Sequence, residues 1–286
     1  MSEKKVKGTS KAMRGRRTLA YIVLVLISAM CLFWFYVLFI NATRSKGELN
    51  NGFTAIPSKY LITNLHNLFN GPQPVLRGML NSLLIAALSA VLCTYFSTMT
   101  AYAIQIYQFR GKQFIFTFIL MIMMIPTQVT ALGFVNLVRN MGLENNFIPL
   151  IVPSIAAPVT FFYMKQYMES NLPTALIEAA RIDGAGELKI FNTIAIPLMK
   201  PAIAVQAIFT FVASWNNYFI PSLIIHEQNT KTLPLLIADL RASDWQKFDM
   251  GQVYAMIGFS IFPVIIVYLF LSKYIVGGVT AGSVKQ

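Results

Sequence analysis

Residues 78–109 read GMLNSLLIAALSAVLCTYFSTMTAYAIQIYQF, 32 residues without one Asp, Glu, Lys or Arg. A helix needs roughly 20 apolar residues to cross the hydrocarbon of a bilayer, so this stretch alone is long enough to span one. Working outward, five more windows are free of charge: 18–43, 113–138, 145–164, 201–226 and 250–272. Together the six cover 153 of the 286 residues, and all 34 charged side chains lie in the remainder. Charged residues make up 12% of the chain, against about 25% in a soluble domain. The mean hydropathy of +0.60 agrees. A soluble globule, a collagen and a disordered tail are excluded. The chain reads as an all-α membrane protein with six transmembrane helices.

Residues 60–76 are also uncharged, but number only 17 and contain Asn64, Asn67, Asn70, Gly71, Pro72 and Pro74. Leu61, Leu65 and Phe69 recur every four residues, the mark of a short interfacial helix rather than a span.

Six spans put both termini on one side. With the N-terminus inside, Lys and Arg divide 15 inside to 8 outside and the acids 5 to 6, giving net charges of +10 and +2. Seven of the inner cations, Lys4, Lys5, Lys7, Lys11, Arg14, Arg16 and Arg17, precede the first span. Basic residues beside a span set its orientation, so both termini are expected in the cytoplasm. The run Leu19 to Ile40 is too long for a cleaved signal peptide, and no small-x-small site follows it. The expected organisation is a basic tail 1–17, a first helix 18–43, an external loop 44–77, a helical core 78–276 and a short inner tail 277–286. The basic tail suits topology and anionic lipid, with no nucleic acid as partner.

Several chemistries find no support. Cys31 and Cys93 sit inside spans without a Cys-x-x-Cys partner, and His66 and His226 are far apart, so no metal site and no catalytic residue is expected. Asn41-Ala42-Thr43 fits a glycosylation sequon just outside the first helix, a string short enough to arise by chance. No phosphate-binding Gly-rich loop follows a strand; Gly278 to Lys285 has the wrong spacing. No ionisable Asp, Glu, Lys or Arg lies within a span to relay protons. A sodium-coupled carrier stays open, since it can use carbonyls and hydroxyls.

Prolines interrupt four spans: Pro126, then Pro149, Pro153 and Pro158, then Pro221, then Pro263. Each removes a backbone donor, and freed carbonyls survive in a membrane only where protein or a wet cavity satisfies them. As a group they favour helices that line a path and change shape.

Between the fourth and fifth spans lies an inner loop, 167–200, which contains NLPTALIEAARIDGAGELKIFNTIAIPLMKP from Asn171 to Pro201. Asn171 or Thr174 can cap a helix beside Pro173. Asp183-Gly184 supplies the stop, and a second short helix from Glu187 to Ile194 is expected before Pro197. Ala179, Ala180, Gly184, Ala185 and Gly186 offer a face of little bulk, flanked by Leu176 and Phe191 as apolar knobs. Such a helix suits docking into a protein groove; an amphipathic loop lying on the membrane is the alternative.

Glu178-Ala179-Ala180, then Asp183-Gly184-Ala185, Phe191, Ile194, Pro197 and Pro201 closely resemble the EAA loop of ABC importer permeases. The likeness extends over residues 60–286 to the inner-membrane sugar permeases of the maltose type. It includes Phe109-Arg110-Gly111-Lys112, Ile125-Pro126, Ser214-Trp215-Asn216, Thr232-Leu233-Pro234 and the ending Gly278-Val279-Thr280-Ala281-Gly282. Ile196 stands where the family often has Leu, Asn217 at a place often acidic, and Gly277 replaces a frequent Arg.

The resemblance implies the type I ABC importer permease fold in a bacterial inner membrane, both termini cytoplasmic. It implies a second permease, two ATP-binding subunits and an extracytoplasmic sugar-binding protein as partners. ATP and Mg would be held by the ATPase, with no cofactor in this chain. It casts Glu178, Ala179, Ala180, Asp183, Gly184, Ala185 and Phe191 as the contact that couples the ATPase to the spans. Glu178 pairs either with a cation of the ATPase or with Arg181 three residues on. Trp215, Asn216, Asn217 and Tyr218 supply the aromatic faces and amides a sugar path needs, or else fasten helices at the membrane interface. A permease for a non-sugar solute such as a glycerol phosphate ester is the competing function, and an ion-coupled carrier or channel a more distant one. The first would favour Lys or Arg in the path.

Overall fold

The computed structural model describes residues 7–242 and 249–283, with side chains for Met13, from 15 to 242 and from 249 to 274. Residues 1–6, with Lys4 and Lys5, and residues 284–286, with Lys285, lie outside the described residues. So do the side chains of Lys7, Lys11, Arg14 and of the segment 275–283.

Every described element is a helix. In chain order they are α1 (Lys7–Ala42), α2 (Lys46–Asn50), α3 (Leu61–Phe69), α4 (Val75–Ile106), α5 (Lys112–Ile122), α6 (Thr127–Asn140) and α7 (Ile148–Ile151). A 3-10 turn, Val152–Ile155, leads to α8 (Pro158–Asn171), α9 (Thr174–Ile182) and α10 (Glu187–Ile190). A π turn, Phe191–Ala195, then leads to α11 (Ile196–Trp215), followed by α12 (Phe219–Ile224), α13 (Leu233–Ala242) and α14 (Met250–Ser283).

Five stretches are long and apolar enough to cross a membrane: Gly15–Ala42, Val75–Ile106, Ile148–Asn171, Glu187–Trp215 and Met250–Tyr274. A sixth is made only if α5 and α6 count as one span, and these are bent by 96°. The window 113–138 is therefore not a straight helix. Pro126 has no N–H to give, and its ring pushes Ile125 away from helical geometry. Pro126 itself is extended at φ −63°, ψ 133°, and α6 starts anew after it. Pro149, Pro153 and Pro158 occupy first-turn positions of their own short helices, where a missing N–H costs nothing. Pro263 is carried inside α14.

The chain divides into two compact units. One comprises residues 1–70 and 243–259. Here α1 is exposed from residue 15 to residue 36 and packs only at its C-terminal end. That end is closed by polar chemistry. The amide of Asn64 donates to the carbonyls of Ala42 and Arg44, both at 2.9 Å, satisfying acceptors that the end of α1 leaves open. Consequently α3 buries Asn64 and Leu68, while Leu61 and Phe69 stay exposed. The hydrogen bonds, rather than the Leu61–Leu65–Phe69 stripe, choose the inward face. Ser45 caps α2 in a reciprocal box with Glu48.

The other unit comprises residues 71–242 and 260–286. Its axis is α4, which buries Ser82, Ala86, Ser89, Ala90, Cys93, Ser97 and Ala101 along one stripe. Small side chains at helical spacing let neighbouring backbones approach closely within a membrane. Cys93 marks the meeting of three helices, donating to Thr160 Oγ1 of α8 at 3.3 Å and accepting from Thr210 Oγ1 of α11 at 3.5 Å. At the far end of α4 a core of Tyr102, Phe161, Met164, Met168, Ile177, Ile190, Phe191 and Met199 gathers α4, α8, α9 and α11. This core seats the loop between α8 and α11.

Candidate functional site

The loop is built around α9. Pro173 precedes it with no side-chain cap, and the Asn171 amide instead donates back to the Tyr167 carbonyl at 2.8 Å. Neither Asn171 nor Thr174 acts as the expected cap. The helix ends at Asp183, with Gly184 at φ +78°, a left-handed conformation that costs glycine nothing. Gly184 N donates to Arg181 O and Ala185 N to Ala180 O, both at 3.0 Å, a complete Schellman closure. Asp183-Gly184-Ala185 thus turns the chain sharply and cheaply.

Beyond the turn, the second helix does not stop before Pro197. It runs from Glu187 through the π turn into α11, carrying Pro197 in the first turn and Pro201 inside. A proline clashes with the carbonyl four residues earlier, and the wider π turn ahead of Pro197 relieves that crowding.

The two faces of α9 differ completely. Ile177 (1% exposed) and Ala180 (9%) point into the core. Glu178, Ala179, Ile182 and Asp183 are exposed, with Ile182 at 86% and Leu176 at 46%. Two sequence expectations are corrected here. Phe191 is not a projecting knob: it is 2% exposed and packed between Tyr95 and Tyr102, on the same inward face as Ile190 and Ala195. Ala180 belongs to the inward face and not to the bare one. The projecting apolar side chains are instead Leu176, Ile182 and Leu188, the last 68% exposed. The spacing of Ile182, four residues after Glu178 and three after Ala179, carried that signal.

Glu178 does not pair with Arg181. Arg181 Nε donates to Glu187 Oε1 at 2.6 Å, and its guanidinium lies 5.4 Å from the Tyr107 ring centre. The hydrogen bond to Glu187 holds the Arg181 pKa above its ordinary value. Among the described residues the carboxylate of Glu178 has no ion-pair partner.

The second candidate cluster lies at the other end of α11, about 30 Å away by helix rise. The helix stops at Trp215, and Asn216, Asn217 and Tyr218 form a non-helical break before α12. The break does not present all four side chains together. Trp215 is 3% exposed and stacked on Phe211, ring centres 5.8 Å apart at 15°. Tyr218 is 49% exposed and Asn216 exposed. Asn217 lines a cavity of about 490 Å³ with Thr127, Thr130, Pro149, Pro153 and Ile220. Thr127 and Thr130, just past the bend at Pro126, are polar cavity residues that no motif had marked. Two prolines of one span, the start of α6 just past the Pro126 bend and the break after α11 therefore meet at one cavity, where irregular backbone is tolerated. Gln206, 6% exposed in the middle of α11, is a further buried polar group.

Helices broken at one cavity and a projecting loop at the opposite end of the same helix define a class: the membrane component of a transporter. The chain belongs to the family of binding-protein-dependent transport system inner membrane components, which it matches over residues 94–280. It is an ABC importer permease. It is 33% identical to the arabinooligosaccharides transport system permease protein AraQ of Bacillus subtilis, covering 91% of this chain and 93% of the relative. The melibiose/raffinose/stachyose import permease protein MelC of the same species is 28% identical over 96% of this chain and all of its own length. The sn-glycerol-3-phosphate transport system permease protein UgpE of Escherichia coli is 30% identical over 91% of this chain and 94% of its own. A chain from a bacterial ABC transporter involved in the import of the acidic polysaccharide alginate shares the fold, with a TM-score of 0.78 at 22% identity. That match covers 92% of this chain and 97% of the other.

Proposed function

We propose that this chain is a translocation subunit for a sugar or oligosaccharide in a bacterial cytoplasmic membrane, with both termini inside. It works beside a second permease and two ATP-binding subunits, and is fed by an extracytoplasmic sugar-binding protein. The chain holds no ATP site of its own; ATP and Mg reside on the ATPase. Closure of the ATPase pair moves α9 and swings the spans from inward-open to outward-open, and hydrolysis resets them.

The observation that carries this reading is the outward face of α9. Leu176, Ile182 and Leu188 project unpartnered around the free carboxylate of Glu178 and the bare Ala179 and Gly184. An exposed apolar group rimmed by polar residues marks a protein contact. Asn216, Asn217 and Tyr218, with Thr127 and Thr130, are the residues proposed to meet solute along the path. Sugar recognition follows from amides, hydroxyls and an aromatic face, and from relatives that carry arabino-oligosaccharide and raffinose-type names.

Transport of a glycerol phosphate ester is the second reading, favoured by the likeness to UgpE. A dianionic solute calls for a cation in the path, and the cavity lining supplies only hydroxyls, an amide and apolar groups.

The test is expression with the neighbouring reading frames and purification by a tag on this chain. Copurification of an ATPase, and uptake of labelled arabinotriose or raffinose that phosphate esters do not displace, are expected. Uptake without any ATPase would overturn the reading in favour of a channel or ion-coupled carrier.

A further inference from the structure

We propose that Glu187 is a positioning residue that locks the docking helix α9 to the inner end of α4, so that a displacement of α9 reaches α4 and α11 as one rigid body. The proposal rests on the coupling reading of α9 given above, and adds the element through which the movement is passed on.

One carboxylate collects three donors from two separate segments, α9 and the end of α4. Arg181, in the last turn of α9, donates to Oε1 at 2.6 Å. The Tyr107 hydroxyl, one residue past the end of α4, donates to Oε2 at 2.6 Å. The Tyr102 hydroxyl, inside α4, reaches the same oxygen at 3.3 Å. Glu187 itself begins α10, which continues through the π turn into α11. The surrounding groups stiffen the junction. The Arg181 guanidinium sits over the Tyr107 ring at 5.4 Å, the Tyr107 and Tyr102 rings meet edge-on at 6.2 Å, and Tyr102 rests on buried Phe191 at 5.5 Å.

A carboxylate is the group that suits all three donors at once. Ionised, it only accepts, and it offers two oxygens to an obligate donor, arginine, and to two phenols. An amide would keep one oxygen for Arg181 but lose the charge, and its NH2 would meet the phenols only if both turned to accept, reversing those bonds. The side chains of Arg181 and Glu187 are 37% and 42% exposed, so a lone ion pair here would contribute little. Convergence is what gives the site its effect, because one carboxylate shared by α9 and the end of α4 makes the bonds act as a network. Without Glu187, α9 would keep its Schellman turn and the inward contacts of Ile177, yet lose its polar tie to α4.

The experiment uses the full complex in membrane vesicles, in a Cys31→Ser background, with Thr130→Cys in the cavity reporting to a membrane-impermeant maleimide. In the unaltered complex, ATP with vanadate is expected to change the labelling rate. Glu187→Gln and Tyr107→Phe should each shrink that nucleotide-dependent change by about fivefold to tenfold, while the ATPase still copurifies and still hydrolyses ATP. Tyr107 is 36% exposed, so its variant keeps the fold. An undiminished change in both variants would overturn the proposal. Loss of the ATPase together with the response would also overturn it, since Glu187 would then merely hold the loop's shape. Absence of any response in the unaltered complex would overturn the coupling reading itself, and that is seen before a variant is made.

Discussion

The ring of Phe191 meets that of Tyr102 at 5.5 Å, with the planes inclined by 56°. Tyr95 closes on it edge-on at 5.6 Å. This aromatic group joins α4 to the segment that follows α9, and Phe191 fills its centre. Phe191→Ala should destabilise the protein by about 3–5 kcal/mol, read as a lower unfolding temperature in detergent. Phe191→Leu should cost far less. An unchanged transition in the alanine variant would remove Phe191 from the core.

Ile182 presents the opposite case. At 86% exposed it contributes nothing to internal packing, so Ile182→Asp should leave the unfolding temperature where it is. Its retention of ATPase subunits should fall by roughly tenfold, the effect of losing an apolar anchor at an interface. Equal retention by variant and wild type would place the docking surface elsewhere.

Gly251 is held tightly at the start of α14. A Cβ there would lie 2.6 Å from the Arg44 carbonyl and 2.7 Å from the Asn64 amide nitrogen. Those two atoms are themselves hydrogen-bonded, so Gly251→Ala should force the Asn64 bridge open. A loss of about 1–3 kcal/mol is expected, measurable by thermal unfolding. Asn64→Ala should cost a similar amount, and the two losses should not add.

Glu48 couples the 44–60 segment to pH. The Ser45 backbone N–H, followed by the Ser58 hydroxyl, lowers its pKa from the ordinary 4.5. A depressed carboxylate stabilises the folded segment above its unfolded pKa, and the contribution is lost as pH falls through the folded value. Amide protection of residues 45–50 should therefore hold at neutral pH and decline below 4.5. Glu48→Gln should abolish that dependence; protection that is flat with pH in the wild type would show the cap to be unimportant.

Local chemistry was legible residue by residue. Asp183-Gly184-Ala185 signalled a helix stop because a left-handed position is cheap only for glycine, and Pro126 signalled a bend because proline cannot donate. The bonds of Glu187 were not legible. Its partner Tyr107 is 80 residues away in sequence, and nothing nearby distinguishes it from other tyrosines. The burial of Phe191 was equally hidden, since the rings that cover it, Tyr95 and Tyr102, come from α4, far away in sequence. Trp215 is likewise buried, stacked on Phe211 one helical turn earlier, and the spacing alone did not say which face of α11 meets protein.

Charge-free windows by themselves determined that the chain enters lipid, because moving a charged group into hydrocarbon is costly at every position independently. Which face of each helix meets protein was left to the tertiary structure. Lipid tails are as apolar as leucine, so hydrophobicity does not separate a side chain that faces the bilayer from one that faces a neighbour. That choice comes from small residues such as Cys93 and Ser97, from hydrogen bonds such as Asn64 to Arg44, and from the converging phenols on Glu187. Each depends on groups that only folding brings together.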